Sequence, residues 1–344
     1  MATSSFTFPF LFFHLIVVNS IVIVPSSSTT FNVTVVKDGS GQFRTISEAV
    51  LGAPTDGNNT YLINIKPGLY EEYVSIPKAK PFLALIGSGA DKTKITGNRS
   101  NKNGFGTTKS ATLVVKGDHF LLQDITVENS AGPGTQAVAL FCRAEYAVFY
   151  KCKITGYQDT LFADHTRQFY RECDIYGTVD FIFGDARAIF QNCNLFARDT
   201  GAIFTAHSRH DLNVSLGYVI QNCSLKASPE IANNITTNVS EMNAYLGRPW
   251  RNFSTVIVME SFIDTIFNPL GWEPMGNSNG KLVTYREYHN RGGGANVTGR
   301  VKWEGYKVIW HHEEAMQYTA RNFIDGDTWI PQTGVAYYGG LALT

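Results

Sequence analysis

One seven-position pattern recurs along the chain and constrains its fold more than any single residue does. The segments HFLLQDITV from His119, VFYKCKIT from Val148, QFYRECDIY from Gln168, IFQNCNLF from Ile189 and VIQNCSLK from Val219 share it: two apolar residues, two polar, a Cys or Asp, one polar, one apolar. Its fifth position falls at Asp124, Cys152, Cys173, Cys193 and Cys223, with separations of 28, 21, 20 and 30 residues. Repeats of that period mark stacked units that bury their apolar faces only against one another. Each unit is short, rich in β-branched and aromatic residues and bounded by Gly, Asn and Asp turns, with no helical periodicity between successive units. Short strands without crossover helices suit a parallel β-helix better than a doubly wound sheet. The competing arrangement is a β-sandwich, whose antiparallel strands also recur at short spacing. Unequal spacing then measures loop length, and the long loops Arg198–Leu216 and Ala227–Asn243 are expected to wall a groove on one side.

No charged residue precedes Lys37, and Phe8–Val24 is an almost unbroken apolar run. This reads as a secretory signal peptide over residues 1–28, cleaved somewhere between 20 and 30. It lacks a basic leading segment and approaches the length of a membrane span, so an uncleaved anchor is the alternative. Residues 31–344 contain no linker or composition shift and read as one domain. With 29 basic and 29 acidic side chains, neither a nucleic-acid surface nor an acidic tail is indicated, and a neutral or weakly acidic polymer is a compatible partner. Nine Asn-x-Ser/Thr sequons, at Asn32, Asn58, Asn98, Asn213, Asn222, Asn234, Asn238, Asn252 and Asn296, fit a secreted glycoprotein. Asn222 lies inside an apolar run and is expected to stay unmodified.

A coil of about 21 residues places each residue beside the one about 21 positions away, one strand spacing of roughly 4.8 Å across the sheet. Asp159, in ITGYQDTLF, then meets Asp180 in GTVDFIFGD, and Gln158 meets Gln136 in TQAVAL. No structural role requires two stacked carboxylates beside two stacked carboxamides. Two carboxylates at that separation cannot both ionise comfortably, so one is held protonated unless a cation intervenes. The pair thus supplies an acid and an anion in one site. Carboxamide NH2 groups beside them could donate to an oxyanion developing on an attacked carbonyl. Arg248, pinned between Gly247 and Pro249 in YLGRPWRNF, is the candidate cation that holds one aspartate ionised as a nucleophile. Taken singly, Gln136 would be a ladder amide and Arg248 a structural ion-pair partner; the shared register of the four residues reverses that preference.

These residues lie in blocks. GLYEE (68–72), QAVAL (136–140), GYQDTL (156–161), DFIFG (180–184) and LGRPW (246–250) stand in this order, and with them the chain from about Val33 onward resembles the plant pectin methylesterases. The resemblance implies an all-β, right-handed parallel β-helix with groove-forming loops. It implies hydrolysis of galacturonate methyl esters in pectin, with release of methanol, in modification of the cell wall. Carried over by motif, Asp180 is the nucleophile, Asp159 the general acid and later the base, and Gln136 and Gln158 the oxyanion donors. Arg248 orients Asp180, Trp250 stacks on the sugar, and Phe183 and Phe162 are further groove aromatics, although Tyr is common in the family at the latter position. Gln136, Arg248 and Thr108, which precedes KSAT with the local spacing one residue short, are implied substrate contacts. No cofactor or metal is implied. The expected partners are methylated homogalacturonan and a proteinaceous pectinesterase inhibitor, for a secreted monomer that binds no nucleic acid and has no stable membrane association. Many relatives carry an inhibitor-like pro-region; with Lys37 already inside the first strand, none is expected here. TAHSR at 205–209 departs from the usual TAQGR, so His207 and Ser208 are expected near the groove, where they would alter specificity or pH response.

Other signals point elsewhere. GNSNG at 276–280 matches the Gly-x-Ser-x-Gly elbow of serine esterases, but the KLVTYREYH that follows reads as strand, so Ser278 is expected in a polar turn. Two aspartates on a β-helix would also serve a pectin backbone glycosidase, which has no use for the paired glutamines. A pectin-binding wall protein without activity would be expected to have lost a carboxylate or the arginine. The histidines form no ligand set, and GSGAD at Gly87 reads as a turn rather than a phosphate loop. Trp272 could either pack or touch sugar. Cys152, Cys173 and Cys193 occupy successive coils at a spacing that permits one disulfide, with stacked free thiols as the alternative.

Overall fold

The computed structural model describes residues 30–233, 242–276, 278 and 280–342. The stretch read as a signal peptide and the sequons at Asn234 and Asn238 lie outside them. Among the described residues the strands form three parallel sheets of eleven, seven and eight strands, and the chain visits the sheets in turn, coil after coil. This is the parallel β-helix, and the sandwich alternative falls because every strand pair is parallel.

Side-chain columns explain why the repeat folds this way. In the eight-stranded sheet Ile95, Val127, Ile154, Ile175, Leu195, Leu225 and Ile263 stack in register, each fully buried. An inward aromatic column runs beside the eleven-stranded sheet, where Phe149, Tyr170 and Phe190 stack at centroid distances of 4.7 and 4.5 Å. Such burial supplies roughly 2 to 3 kcal/mol per large apolar side chain. The outer face of that sheet is also apolar: Val148, Phe169, Ile189, Val219 and Ile257 are covered by Phe323, Trp329 and Ile330 of the C-terminal segment. Burial on both faces is why the repeat opens on consecutive apolar residues instead of an alternating pattern. At the other end, the helix Ile46–Gly52, started by a Thr45/Glu48 capping box, buries Ile46, Ala49 and Val50 against the first coils.

The register corrects the first repeat. Leu121 pairs with Val148 and Thr126 with Lys153, so Ile125, not Asp124, lies under Cys152. Asp124 belongs to the preceding row, Asp124, Lys151, Glu172, Asn192, Asn222 and Glu260, all turning from one sheet to the next with φ between 50 and 57°. A left-handed turn tolerates Asp and Asn best, and the asparagines also bond each other, Asn222 Nδ2 donating to Asn192 Oδ1 at 2.9 Å. The cysteines point inward instead and remain free thiols. The thiols of Cys152, Cys173, Cys193 and Cys223 each donate to a carbonyl of the preceding coil, as in Cys152 to Leu122 and Cys173 to Phe149, both at 3.3 Å. The disulfide alternative is therefore not taken; small, buried, weakly donating side chains are what the position uses.

Candidate active site

The seven-stranded sheet carries the site. Along its strands Leu161 and Ala163 fill the core, so the residue between them faces outward, and the register lines up Val114, Phe141, Phe162, Phe183, Ala206 and Arg248 on successive coils. Phe141 to Phe162 and Phe162 to Phe183 lie 4.9 and 4.4 Å apart, and Trp250, 38% exposed, stands 6.0 Å from Phe183. Phe141 and Phe183 are buried in this packed row and Phe162 is half-buried, so the exposed ring is the flanking Trp250. Phe141 was missed by the sequence reading, although Phe141, Phe162 and Phe183 follow one another at a strict interval of 21.

At the turn that feeds this sheet, Asp159 and Asp180 occupy the same register position on neighbouring coils, two residues before the paired Leu161 and Ile182. Both adopt left-handed backbone, φ 65° and 53°, a conformation that costs about 1 kcal/mol or more outside glycine and collects at functional sites. Gln136 bridges to Gln158 as expected. Their offset is 22 rather than 21 because the Gln136 coil holds one extra residue, Ala139 and Leu140 both donating to the Thr160 carbonyl.

Arg248 settles the charge. Its Nε and Nη2 each donate at 2.8 Å to the two oxygens of Asp180, while Nη1 donates to Glu273 Oε2 at 3.1 Å. Gly247 is required beside it, since a Cβ there would lie 2.0 Å from Thr205 Oγ1. Burial raises the Asp180 carboxyl and the guanidinium opposes that rise. Asp159 receives no side-chain donor among the described residues. Burial, and then the Asp180 charge, push it up to about 8. The site therefore presents a protonated carboxyl next to an arginine-held carboxylate at neutral pH. Such a pair can deliver a proton and a nucleophile to the same ester, with the carboxamides of Gln136 and Gln158, both half-buried, at its edge. Glu273, which braces the far side of Arg248, was not singled out from the sequence, although it stands one coil on: Gly247 bridges to Trp272, an offset of 25 that lies within the 20 to 30 residues separating the repeats.

The remaining expected residues separate. Thr108 is exposed on the 3-10 turn Thr107–Ser110 and forms no hydrogen bond with the carboxylates. His207 does not line the groove: it is fully buried, edge-on to Tyr218 at 4.6 Å, with Nδ1 accepting from Thr255 N at 3.1 Å. Burial pushes its pKa down to about 3, so it stays neutral and cannot supply the expected pH response. Its side chain alternates inward because its neighbour Ala206 holds the outward row. Trp272 packs, fully buried and stacked 4.1 Å from Tyr285. Ser278 lies in a turn, its N–H donating to Met275 O at 3.1 Å, with the strand Thr284–Tyr288 rather than a helix downstream.

A parallel β-helix that sets one neutral and one arginine-held carboxylate beside an aromatic row is a solenoid with a candidate acid and nucleophile on one face. Comparison with known proteins makes that class specific: the sequence profile described as Pectinesterase matches residues 32–327, and the chain belongs to the pectinesterase family. It is 44% identical over 315 residues to pectinesterase 2 of Citrus sinensis, which covers 90% of this chain and 61% of that one. The pectin methylesterase from carrot is 41% identical, with a TM-score of 0.88 over 92% of this chain and 100% of that one. A crystal structure of pectin methylesterase in complex with hexasaccharide VII is 27% identical, with a TM-score of 0.73 over 86% of this chain and 98% of the other. The chain spans about half the length of the curated relatives it matches, 43%, 56% and 61% for three of them.

Proposed function

We propose that this chain, through residues 31–344, hydrolyses methyl esters of galacturonate in pectin outside the cell, in the wall. The observation that carries the reading is the two-point grip of Arg248 on Asp180 beside an Asp159 that receives no side-chain donor among the described residues. Family membership and the likeness to carrot pectin methylesterase support it.

In this reading the Asp180 carboxylate attacks the ester carbonyl carbon, and the developing oxyanion takes hydrogen bonds from the Gln136 and Gln158 carboxamides. The carbon–methoxy bond breaks as the Asp159 carboxyl passes its proton to the departing oxygen, releasing methanol and leaving a mixed anhydride on Asp180. Asp159, now ionised, takes a proton from the water that attacks this acyl carbon. The Asp180 carboxylate leaves, galacturonate is released, and Asp159 is again protonated. Arg248 keeps Asp180 ionised and aimed throughout. The exposed Trp250 and the half-buried Phe162 offer faces on which sugar rings stack, over the buried Phe141 and Phe183. A proteinaceous inhibitor covering this groove is the protein partner the reading expects.

The test is methanol release from highly methylated pectin, run beside viscosity on the same sample. Methanol with little early loss of viscosity is expected. Falling viscosity without methanol would mean backbone cleavage, and neither signal would mean a binding protein.

A further inference from the structure

The carboxamide of Gln136 has an accepting and a donating end, and only the donating end helps an oxyanion. Presented the other way round, its Oε1 would repel the developing charge. What selects the orientation is therefore part of the chemistry. Asn101, the first residue of the 3-10 turn Asn101–Asn103, contacts Gln136 twice. Its backbone N–H donates to the Gln136 carbonyl at 3.0 Å, and its side-chain Nδ2 donates to Gln136 Oε1. With Oε1 occupied, Nε2 is the end left for substrate.

The turn itself is anchored to the same coil. Lys102 N donates to Thr135 Oγ1 at 3.0 Å, next door to Gln136. Asn129 Nδ2 ties the Arg99 carbonyl to the Val138 carbonyl, 2.9 Å from each. Asn101 is thus presented to Gln136 by a braced loop, while Gln158 has no side-chain partner among the described residues. We propose that Asn101 is a positioning residue, which holds the Gln136 carboxamide with its NH2 turned toward the reacting carbonyl.

This rests on the reading of Gln136 as an oxyanion donor, and the experiment separates the two. Steady-state methanol release is measured for Asn101→Ala, Asn101→Asp, Gln136→Ala and the double variant Asn101→Ala/Gln136→Ala, with circular dichroism on each. Asn101 is exposed, so its replacement leaves the coil intact. Gln136→Ala is expected to lower kcat about 100-fold. Asn101→Ala should lower kcat about 10-fold with KM within about twofold, since misorientation acts on the reacting geometry. Asn101→Asp should fall further, because a carboxylate cannot donate to Oε1 and instead draws Nε2 away from the substrate. The double variant should be no slower than Gln136→Ala. Wild-type kcat in both Asn101 variants, or losses that multiply in the double variant, would overturn the positioning role alone. Wild-type kcat in Gln136→Ala would remove the oxyanion role and the positioning role with it.

Discussion

Arg248 reaches across 68 residues of sequence to hold both oxygens of Asp180 at 2.8 Å. That fork divides the labour between two aspartates that the fold otherwise treats alike, since they share a register position and a left-handed backbone. The one Arg248 grips is held as the anion, and Asp159, which it does not grip, keeps its proton.

Asp180→Asn should abolish methanol release while the circular dichroism spectrum stays that of the wild type. The amide preserves volume and removes the carboxylate that the proposed mechanism uses as nucleophile. Substantial residual turnover in a normally folded variant would refute the assignment.

In the proposed mechanism Asp159 must be protonated to act as the acid, and its carboxyl is pushed up to about 8. The rate of acylation is expected to hold through neutral pH and fall as pH rises through that value. The same shift acts on stability. Because the folded pKa lies above the ordinary carboxylate value of about 3.9, the contribution of this group is complete below that pH and is lost as pH rises toward the folded value. Asp159→Asn should therefore melt with the wild type at pH near 4 and above it at pH near 8. Equal melting temperatures at both would contradict the raised pKa.

A single ammonium cannot replace the fork of Arg248. In Arg248→Lys the Asp180 carboxyl should become harder to ionise, because burial raises it and the guanidinium is what opposes the rise. The acid limb of the kcat/KM profile is expected to move to higher pH, with a lower plateau. An unmoved acid limb would show that Asp180 does not depend on this partner.

Trp272 supplies a contrast, being the neighbour in sequence of Glu273, which braces Arg248, yet wholly inside the core against Tyr285. Trp272→Ala should cost about 3 to 5 kcal/mol in unfolding free energy and leave KM unchanged in the protein that remains folded. A raised KM with normal stability would place the indole in the groove.

The solenoid and the pairing of its candidate site residues were legible in the chain alone. In a coiled chain of nearly constant period, covalent spacing converts directly into spatial adjacency, so Asp159 and Asp180, and Gln136 and Gln158, could be paired by counting. The same conversion fails wherever turns or loops intervene. The first repeat slipped by one because Asp124 resembles a core-facing polar position but serves a left-handed turn. His207 read as a groove residue because a motif records neighbours, whereas the direction of a side chain depends on strand alternation. The reach of Arg248 to Asp180 and the turn that brings Asn101 to Gln136 follow loop paths that no period encodes. Which aspartate keeps its proton was likewise left to the tertiary structure, because burial and the position of one guanidinium set the relative cost of the two charges.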